Sequence, residues 1–456
     1  MSPLDLGRAR RVHLVGIGGA GMSAIAAVLV TMGHQVSGSD LKDGVALERL
    51  RALGVHVTLG HDPANVAGAD VVAISTAIPE RNVELAEARR LGLEVHTRAE
   101  TLAAITAQRR TVAVSGTHGK TTTTSMLALV LVEAGLEPSF VVGGDVNEIG
   151  TNAVWGEGEW LVVEADESDG TFLVLHPELA LVTNVEADHL DHYGSIAALE
   201  AAFAGFMADA PGGAIVCADD PVATRLAPPG ATTYGFADAA ELRVTGFRGG
   251  RSDIAFALEQ GGVVLGELSL PVPGAHNAAN AAGAAAAALS LGVGVDVSAR
   301  ALARFAGVAR RFEFRGEARG VTFVDDYAHL PGEVAATLAA ARRGGWRRVV
   351  CVFQPHRYSR VAALAAAFGD AFDDADLVVI TGIYAAGESP PPGVSAKLVL
   401  DAVLDAHPGT HAAYLPQRSD LVAYLRRALR PGDCCITLGA GDLTTLPDEL
   451  LAEPAW

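Results

Sequence analysis

The sequence predicts an α/β protein of three successive domains, each built on a mostly parallel sheet. Three observations carry this. Short apolar runs rich in Val, Ile and Leu alternate with longer alanine-rich stretches along the whole chain, the βα pattern of parallel sheets. Two of these runs end in glycine-rich turns of the kind that aim a helix N-terminus at phosphate, GIGGAG at 16–21 and SGTHGKT at 115–121. A length of 456 residues, half of them apolar and 51 of them glycine, suits about three domains with ample core. The expected divisions are 1–108, 109–307 and 308–456.

The first block opens with a strand over Val12–Val15 that meets Gly16, Gly18 and Gly21 in the spacing GxGxxG. A helix to Met32 follows, then a strand from Gln35 to Ser37, then Asp40, 19 positions after Gly21. Strand, glycine turn, helix, strand and acid form a dinucleotide fingerprint. Glycines let the backbone approach a diphosphate, and the acid reaches a nucleoside hydroxyl. GxGxxG alone is weak; with this context it points to a nucleotide diphosphate.

The second block starts with the run Thr111–Val114 and then Gly116, Thr117, His118, Gly119, Lys120, Thr121 and Thr122. Of 34 cationic residues only Lys42, Lys120 and Lys397 are lysine, so a lysine at the start of the predicted helix Thr121–Ala134 is conspicuous. Backbone N–H groups there face phosphate, the ammonium reaches the β/γ oxygens, and a threonine hydroxyl ligates Mg²⁺. The usual phosphate-loop spacing would put a glycine at Val114, whereas the first glycine is Gly116. The bland reading is an ordinary strand-to-helix turn. Two further apolar runs end in acids, WLVVEADESDG and LALVTNVEADHLDHYG, so Glu164, Asp166, Glu167, Asp188 and His189 should gather near Lys120 at the carboxyl ends of the strands. One or two of them suit a metal. In PVPGAHNAANAAG a helix begins near His276, and Asn280 lies one turn in on the same face, where a carboxamide could pair with adenine.

The third block repeats the βα alternation and predicts a third parallel sheet. It carries RRFEFRG, a strand ending at VDDYAHLPGE, and a strand–loop–helix RRVVCVFQPHRYSR. Arg357 and Arg360, three apart at a helix start, suit a carboxylate; surface ion pairing is the alternative.

Composition excludes some functions. Net charge is −19 without a basic run, which argues against nucleic acid and requires any polyanion to be held by local positive features. Cys217, Cys351, Cys434 and Cys435 show no metal spacing, and reduced thiols in a cytoplasm fit them best. The uncharged run Leu14–Gly33 imitates a membrane span, but Gly16, Gly18, Gly19 and Gly21 crowd its first half.

Together GIGGAGMS, SGTHGKTTT, EADESDGTF, TNVEADHLDHY, PGAHNAANA, RRFE, DDYAHLP, FQPHRYSR and AAGESP resemble the signature series of the Mur ligases of peptidoglycan synthesis, in family order and from about residue 11 to residue 442. Within that family the series is most similar to the alanine-adding branch. The resemblance implies a Rossmann-like domain for a UDP-sugar, a central ATPase domain of P-loop type, and a Rossmann-like C-terminal domain. It implies ATP and Mg²⁺, with UDP-N-acetylmuramate and L-alanine as substrates joined through an acyl phosphate, and a cytoplasmic enzyme without membrane insertion; a homodimer is left open. By the same resemblance Thr121, Glu164 and His189 are the metal ligands. Asn280, Arg311 and Asp326 would hold the adenine, a phosphate and the ribose of ATP. Tyr327, His329, Arg357 and Arg360 would form the amino-acid and reaction pocket, with Lys120, His189, His329 and Arg357 closest to the chemistry. Gly16, Gly18, Gly19, Ala20 and Gly21 would cradle the UDP diphosphate, with Asp40 toward the nucleoside.

Two features depart from the family pattern. His329 is followed by Leu330 where a second histidine is usual, and Gly332 replaces a common threonine, which removes any role for a second imidazole. The central block has no lysine but Lys120, so the carbamoylated lysine of sister ligases has no counterpart. The rival readings are a ligase that recycles a murein tripeptide onto the same UDP-sugar and, in another class, an NAD-dependent oxidoreductase built on GIGGAG and Asp40.

Overall fold

The computed structural model describes residues 4–75, 77–146 and 149–452. Its first sheet comprises β1 (Arg11–Val15), β2 (Gln35–Asp40), β3 (His56–Leu59), β4 (Val71–Ile74) and β5 (Glu94–Thr97), parallel throughout in the order β3-β2-β1-β4-β5. Strand order reverses at β1, and the glycine turn leaves its carboxyl end, the switch point where such sheets bind ligands.

The second sheet runs from β6 (Arg110–Ser115) through β7 (Ser139–Val146), β8 (Thr151–Val154), β9 (Trp160–Glu164), β10 (Leu179–Val182), β11 (Ala214–Cys217), β12 (Thr232–Gly235), β13 (Leu242–Gly249), β14 (Ile254–Gln260) and β15 (Val263–Leu270). Its order is β15-β14-β13-β12-β11-β10-β6-β9-β7-β8. β6 lies between β10 and β9 and is parallel to both. Val112, Ala113, Val114, Leu161, Val162, Val163, Ala180, Leu181 and Val182 are buried on both faces, which explains the unbroken apolar runs. That adjacency brings the three loops after β6, β9 and β10 to one edge.

The third sheet holds β16 (Glu313–Ala318), β17 (Val321–Asp326), β18 (Arg348–Phe353), β19 (Leu377–Ile380), β20 (Ala412–Tyr414) and β21 (Asp433–Leu438), in the order β16-β17-β21-β18-β19-β20. It is not wholly parallel as expected: β16 runs antiparallel to β17. The reason is local. Arg319 and Gly320 both have positive φ, 55° and 73°, between the paired residues Ala318 and Val321, a two-residue hairpin turn of the type that matches strand twist.

The helix after β6 spans Lys120–Glu133 and stops where Gly135 turns at φ 70°. The helix expected near His276 spans Ala275–Ser290, and its alanines from Ala284 to Ala288 are fully buried or nearly so. By compactness the chain divides into two units. One takes residues through Thr245, Ala257–Leu268 and Ala279–Phe305; the other takes Gly246–Phe256, Ser269–Ala278 and residues from Ala306 onward. All four cysteines are buried free thiols. Among the described residues no helix is long and apolar enough to cross a membrane.

Candidate active site

The phosphate loop is shaped by two glycines. Gly116 has φ 136°, and a Cβ there would overlap the Thr183 hydroxyl on the neighbouring strand end. Gly119 has φ 80°, and a Cβ would come within 2.5 Å of Asn280 Oδ1. The glycine is therefore needed two residues later than in the usual spacing, because β10 crowds Gly116. The loop is held from β10: His118 N–H donates to Asn184 Oδ1 (2.8 Å), and His118 O accepts from Thr183 Oγ1 (2.5 Å) and Asn184 Nδ2 (3.1 Å). Asn280 thus lies against the loop, one turn into its helix as predicted.

Lys120 opens the helix, and its ammonium donates to Gly116 O (2.5 Å), Thr117 O (3.2 Å) and Glu167 Oε1 (2.9 Å). Burial alone would depress its pKa; Glu167, Asp166 and Glu164 outweigh that and hold the ammonium above its ordinary value. Burial likewise pushes the Glu167 carboxyl up to about 7 despite Lys120 beside it. Thr121 Oγ1 donates to Glu164 Oε1 (3.0 Å), and Glu164 Oε2 accepts from Gly143 N–H (2.7 Å). His189, in the left-handed region at φ 53°, holds Nε2 3.1 Å from Asp188 Oδ2 and 3.9 Å from Glu167 Oε1. Tyr193 OH donates to Glu167 O (2.6 Å). The acids read from the strand ends do gather about Lys120.

These residues fit a phosphate chain and a hard cation. Thr121 and Glu164 offer hydroxyl and carboxylate oxygens already in register, and His189 adds an imidazole nitrogen nearby. Two buried polar atoms beside the loop, Ser115 Oγ and Glu167 Oε2, have no hydrogen-bond partner among the described residues.

In the first sheet, Gly16 N–H and Ile17 N–H both donate to Ser39 O (2.9 and 3.0 Å), and Gly18 N–H donates to Asp40 Oδ2 (2.8 Å). Asp40 Oδ1 accepts from Lys42 N–H (3.2 Å). Expected toward a nucleoside, Asp40 is engaged with the glycine turn itself. The helix from Ala20 to Thr31 begins there.

The C-terminal candidates cluster after β17 and β18. Asp326 is buried, with Oδ2 accepting from Phe312 N–H and Oδ1 from Ala328 N–H (2.7 Å each); burial pushes its pKa up to about 6. Expected at a ribose, it anchors the backbone on both sides of the strand end. Arg310 and Arg311 stack on Tyr327 at 4.9 and 5.3 Å, and Arg311 Nη1 lies 3.7 Å from Glu333 Oε1. His329 Nδ1 lies 3.0 Å from Tyr327 O and 3.3 Å from Glu333 Oε2, and its ring packs edge-on against Tyr327 (5.4 Å) and His356 (5.5 Å). Arg360 Nη1 donates to His356 Nδ1 (2.9 Å), and His356 stacks on Tyr384. Arg357 stands at the start of its helix, Tyr358–Leu364, as the residue that caps it, with φ 65°; its Nε is buried and unpartnered among the described residues.

Leu330, which stands where the family pattern has a second histidine, is 4% exposed and caps the helix Pro331–Arg343. Pro331 stands at the first helical position, where its fixed φ suits a helix start.

Sequence reasoning missed His356, Tyr384, Glu333, Asn184 and Arg98. His356 and Asn184 stand inside quoted motifs and could have been found by asking what supports the neighbouring side chains. Arg98, a lone arginine on a helix, carries no sequence signal.

Three family models match the chain in order. They are "Mur ligase family, catalytic domain" at 11–110, "Mur ligase middle domain" at 114–288 and "Mur ligase, glutamate ligase domain" at 310–441. The UDP-N-acetylmuramate–L-alanine ligase of Rubrobacter xylanophilus is 48% identical over 97% of this chain and 99% of its own. The protein of that name from Pelotomaculum thermopropionicum is 46% identical over 97% of each. Among solved structures, the UDP-N-acetylmuramate–alanine ligase of Thermotoga maritima matches with a TM-score of 0.82 at 28% identity, covering 97% of this chain and 98% of that one. A murein peptide ligase from Psychrobacter arcticus matches with a TM-score of 0.70 at 24% identity over 97% and 98%, a likeness of fold alone.

Proposed function

The chain belongs to the Mur ligase family, and from that premise we propose that it is an ATP-dependent ligase joining L-alanine to the carboxylate of UDP-N-acetylmuramate. The observation that carries the reading is the array at the ends of β6 and β9: an ammonium ringed by two carbonyls and a carboxylate, next to a threonine–glutamate oxygen pair. We assign the UDP-sugar to 1–108, ATP to 109–307 and L-alanine to 308–456.

A carboxylate is a poor electrophile, so it must first be activated. Its oxygen attacks the γ-phosphorus of ATP, ADP departs, and an acyl phosphate forms. The alanine amine then attacks the acyl carbon, and the tetrahedral intermediate expels phosphate. Two anions have to meet in line, so catalysis rests on positioning and charge neutralisation rather than on a protein nucleophile. Lys120 exchanges its carboxylate and carbonyl partners for β/γ oxygens. A compact, rotatable ammonium does this where a planar guanidinium would not. Gly116, Thr117, His118, Gly119 and Thr122 present the loop and helix start, with Asn280, Arg311 and Asp326 assigned to the adenine, phosphate and ribose. Thr121, Glu164 and His189 would hold Mg²⁺, which when bound neutralises phosphate charge as a Lewis acid. Arg357 and Arg360 bind the alanine carboxylate, with Tyr327 beside them. His329, whose ring packs against Tyr327 and His356, is assigned to the alanine side of the reaction, where an imidazole takes the ammonium proton.

The test is ADP release with each substrate omitted in turn, and with L-alanine compared against the murein tripeptide as acceptor. Release that requires UDP-N-acetylmuramate and L-alanine together supports the proposal. Release with neither substrate, or only with the tripeptide, overturns it.

A further inference from the structure

Any anion bound at the glycine turn of the first sheet meets an electrostatic problem. Residues 16–21 contain no cation, the chain carries a net −19, and the Asp40 carboxylate accepts from Gly18 N–H within the turn. A diphosphate held there by backbone N–H groups alone would lie beside a like charge.

Arg98 is positioned to reverse that sign. It opens the helix Arg98–Thr106 immediately after β5, and Thr97 and Glu100 form a reciprocal capping box that fixes this helix start. Its side chain reaches the first turn of the helix after the glycines: a Cβ on Gly21 would lie 3.3 Å from Arg98 Nη1 and 3.4 Å from its Cδ. The other edge is fully engaged with the segment after β9. Nη2 donates to Asp169 Oδ2 (2.8 Å), Thr171 Oγ1 (3.2 Å) and Asp166 Oδ2 (3.5 Å). Asp169 is itself fixed, accepting from Thr171 N–H and Thr171 Oγ1 through Oδ1. The guanidinium is therefore clamped on one side, while Nη1 faces the turn and makes no hydrogen bond among the described residues. The side chain as a whole keeps 18% of its surface exposed. Held this way, the planar fork needs no further ordering to receive an oxyanion.

We infer that Arg98 is a substrate-binding residue of the glycine turn, supplying to the diphosphate of the sugar nucleotide the positive charge that the turn lacks. This rests on the assignment of the UDP-sugar to that turn. A Cβ at position 21 would make the Arg98 side chain give by a few tenths of an ångström.

The test is calorimetric titration of the full chain with UDP and, separately, with uridine, for the parent, Arg98→Ala and Arg98→Gln. Losing one charge-assisted contact predicts UDP binding weaker by about tenfold or more in both variants, with uridine binding changed by less than about twofold. UDP affinity within about twofold of the parent would overturn the inference, as would equal losses for UDP and uridine, the mark of a merely structural arginine. If the parent itself binds neither UDP nor UDP-N-acetylmuramate, the assignment of the turn falls first, and this inference with it. The glutamine variant keeps part of the aliphatic stem and a neutral amide donor without the charge, so the result stands even if the alanine variant does not fold.

Discussion

Replacing Lys120 separates what this lysine does for the fold from what it does for the reaction. Its ammonium spends three contacts on Gly116 O, Thr117 O and Glu167 Oε1. In Lys120→Ala, Glu167 loses the ammonium hydrogen-bonded to Oε1, with Oε2 already unpartnered among the described residues. Leaving a buried charge unpaired usually costs about 3–5 kcal/mol. Here burial already pushes the carboxyl up to about 7 against the pull of Lys120, so removing the ammonium favours the protonated form and lets Glu167 escape part of that cost. The remaining loss is a few hydrogen bonds, on the order of 1–3 kcal/mol. Turnover loses a preorganised charge at the developing phosphate, about 10²–10³-fold. Lys120→Arg isolates the second effect. It keeps a cation against Glu167 and should melt near the parent, yet a planar fork cannot set one nitrogen among three acceptors, and its turnover should fall almost as far as that of the alanine variant. Thermal unfolding and coupled ADP release on the three proteins read both quantities. An arginine variant with near-parental turnover would refute the reasoning.

Glu164→Ala and His189→Ala should each raise the Mg²⁺ concentration for half-maximal ADP release; parental metal titrations in both would dismiss them as ligands. His356 gives a pH dependence. Burial, with the charges of His329, Arg360 and Arg357 around it, pushes its pKa from 6.5 to about 3, so the folded state refuses a proton that the unfolded state accepts. The stability this group contributes is complete above about 6.5 and is lost as pH falls towards about 3. His356→Gln, which keeps an acceptor for Arg360, should show a smaller drop in melting temperature between pH 7.5 and pH 5; an unchanged drop would clear His356. Leu330→His should fold less stably by about 1–3 kcal/mol, because it buries an imidazole. His329→Ala should instead keep its stability and lose about 10²-fold in turnover; the opposite pattern would mean the reactive imidazole was sought at the wrong residue.

Much of this was legible because local chemistry and tertiary place coincide in parallel α/β sheets. An apolar run followed by GTHGKT, EADESD or TNVEADH announces both a buried strand and a loop at its carboxyl end. Strand adjacency does the rest, bringing Glu164, Glu167 and His189 around Lys120. What the sequence withheld depends on packing across the chain. Gly116 stands where a glycine at Val114 was expected because Thr183 crowds it from the neighbouring strand, a distance of 67 positions. Leu330 sits beside His329 in sequence but is buried at the cap of the helix Pro331–Arg343. The antiparallel β16 hangs on two consecutive positive φ angles at Arg319 and Gly320, and an arginine does not advertise one. Asp326 reads as a site acid, but that its two oxygens also accept from the backbone amides of Phe312 and Ala328 could not be read from its motif.

The acyl phosphate is tested most directly by isotope transfer. UDP-N-acetylmuramate carrying ¹⁸O in its lactyl carboxylate is incubated with ATP, Mg²⁺ and L-alanine, and the released phosphate is analysed by mass. If the carboxylate attacks the γ-phosphorus and phosphate later leaves from the acyl carbon, each phosphate carries one carboxylate oxygen, and label appears in step with the amide product. Unlabelled phosphate formed alongside the amide would contradict carboxylate activation by ATP.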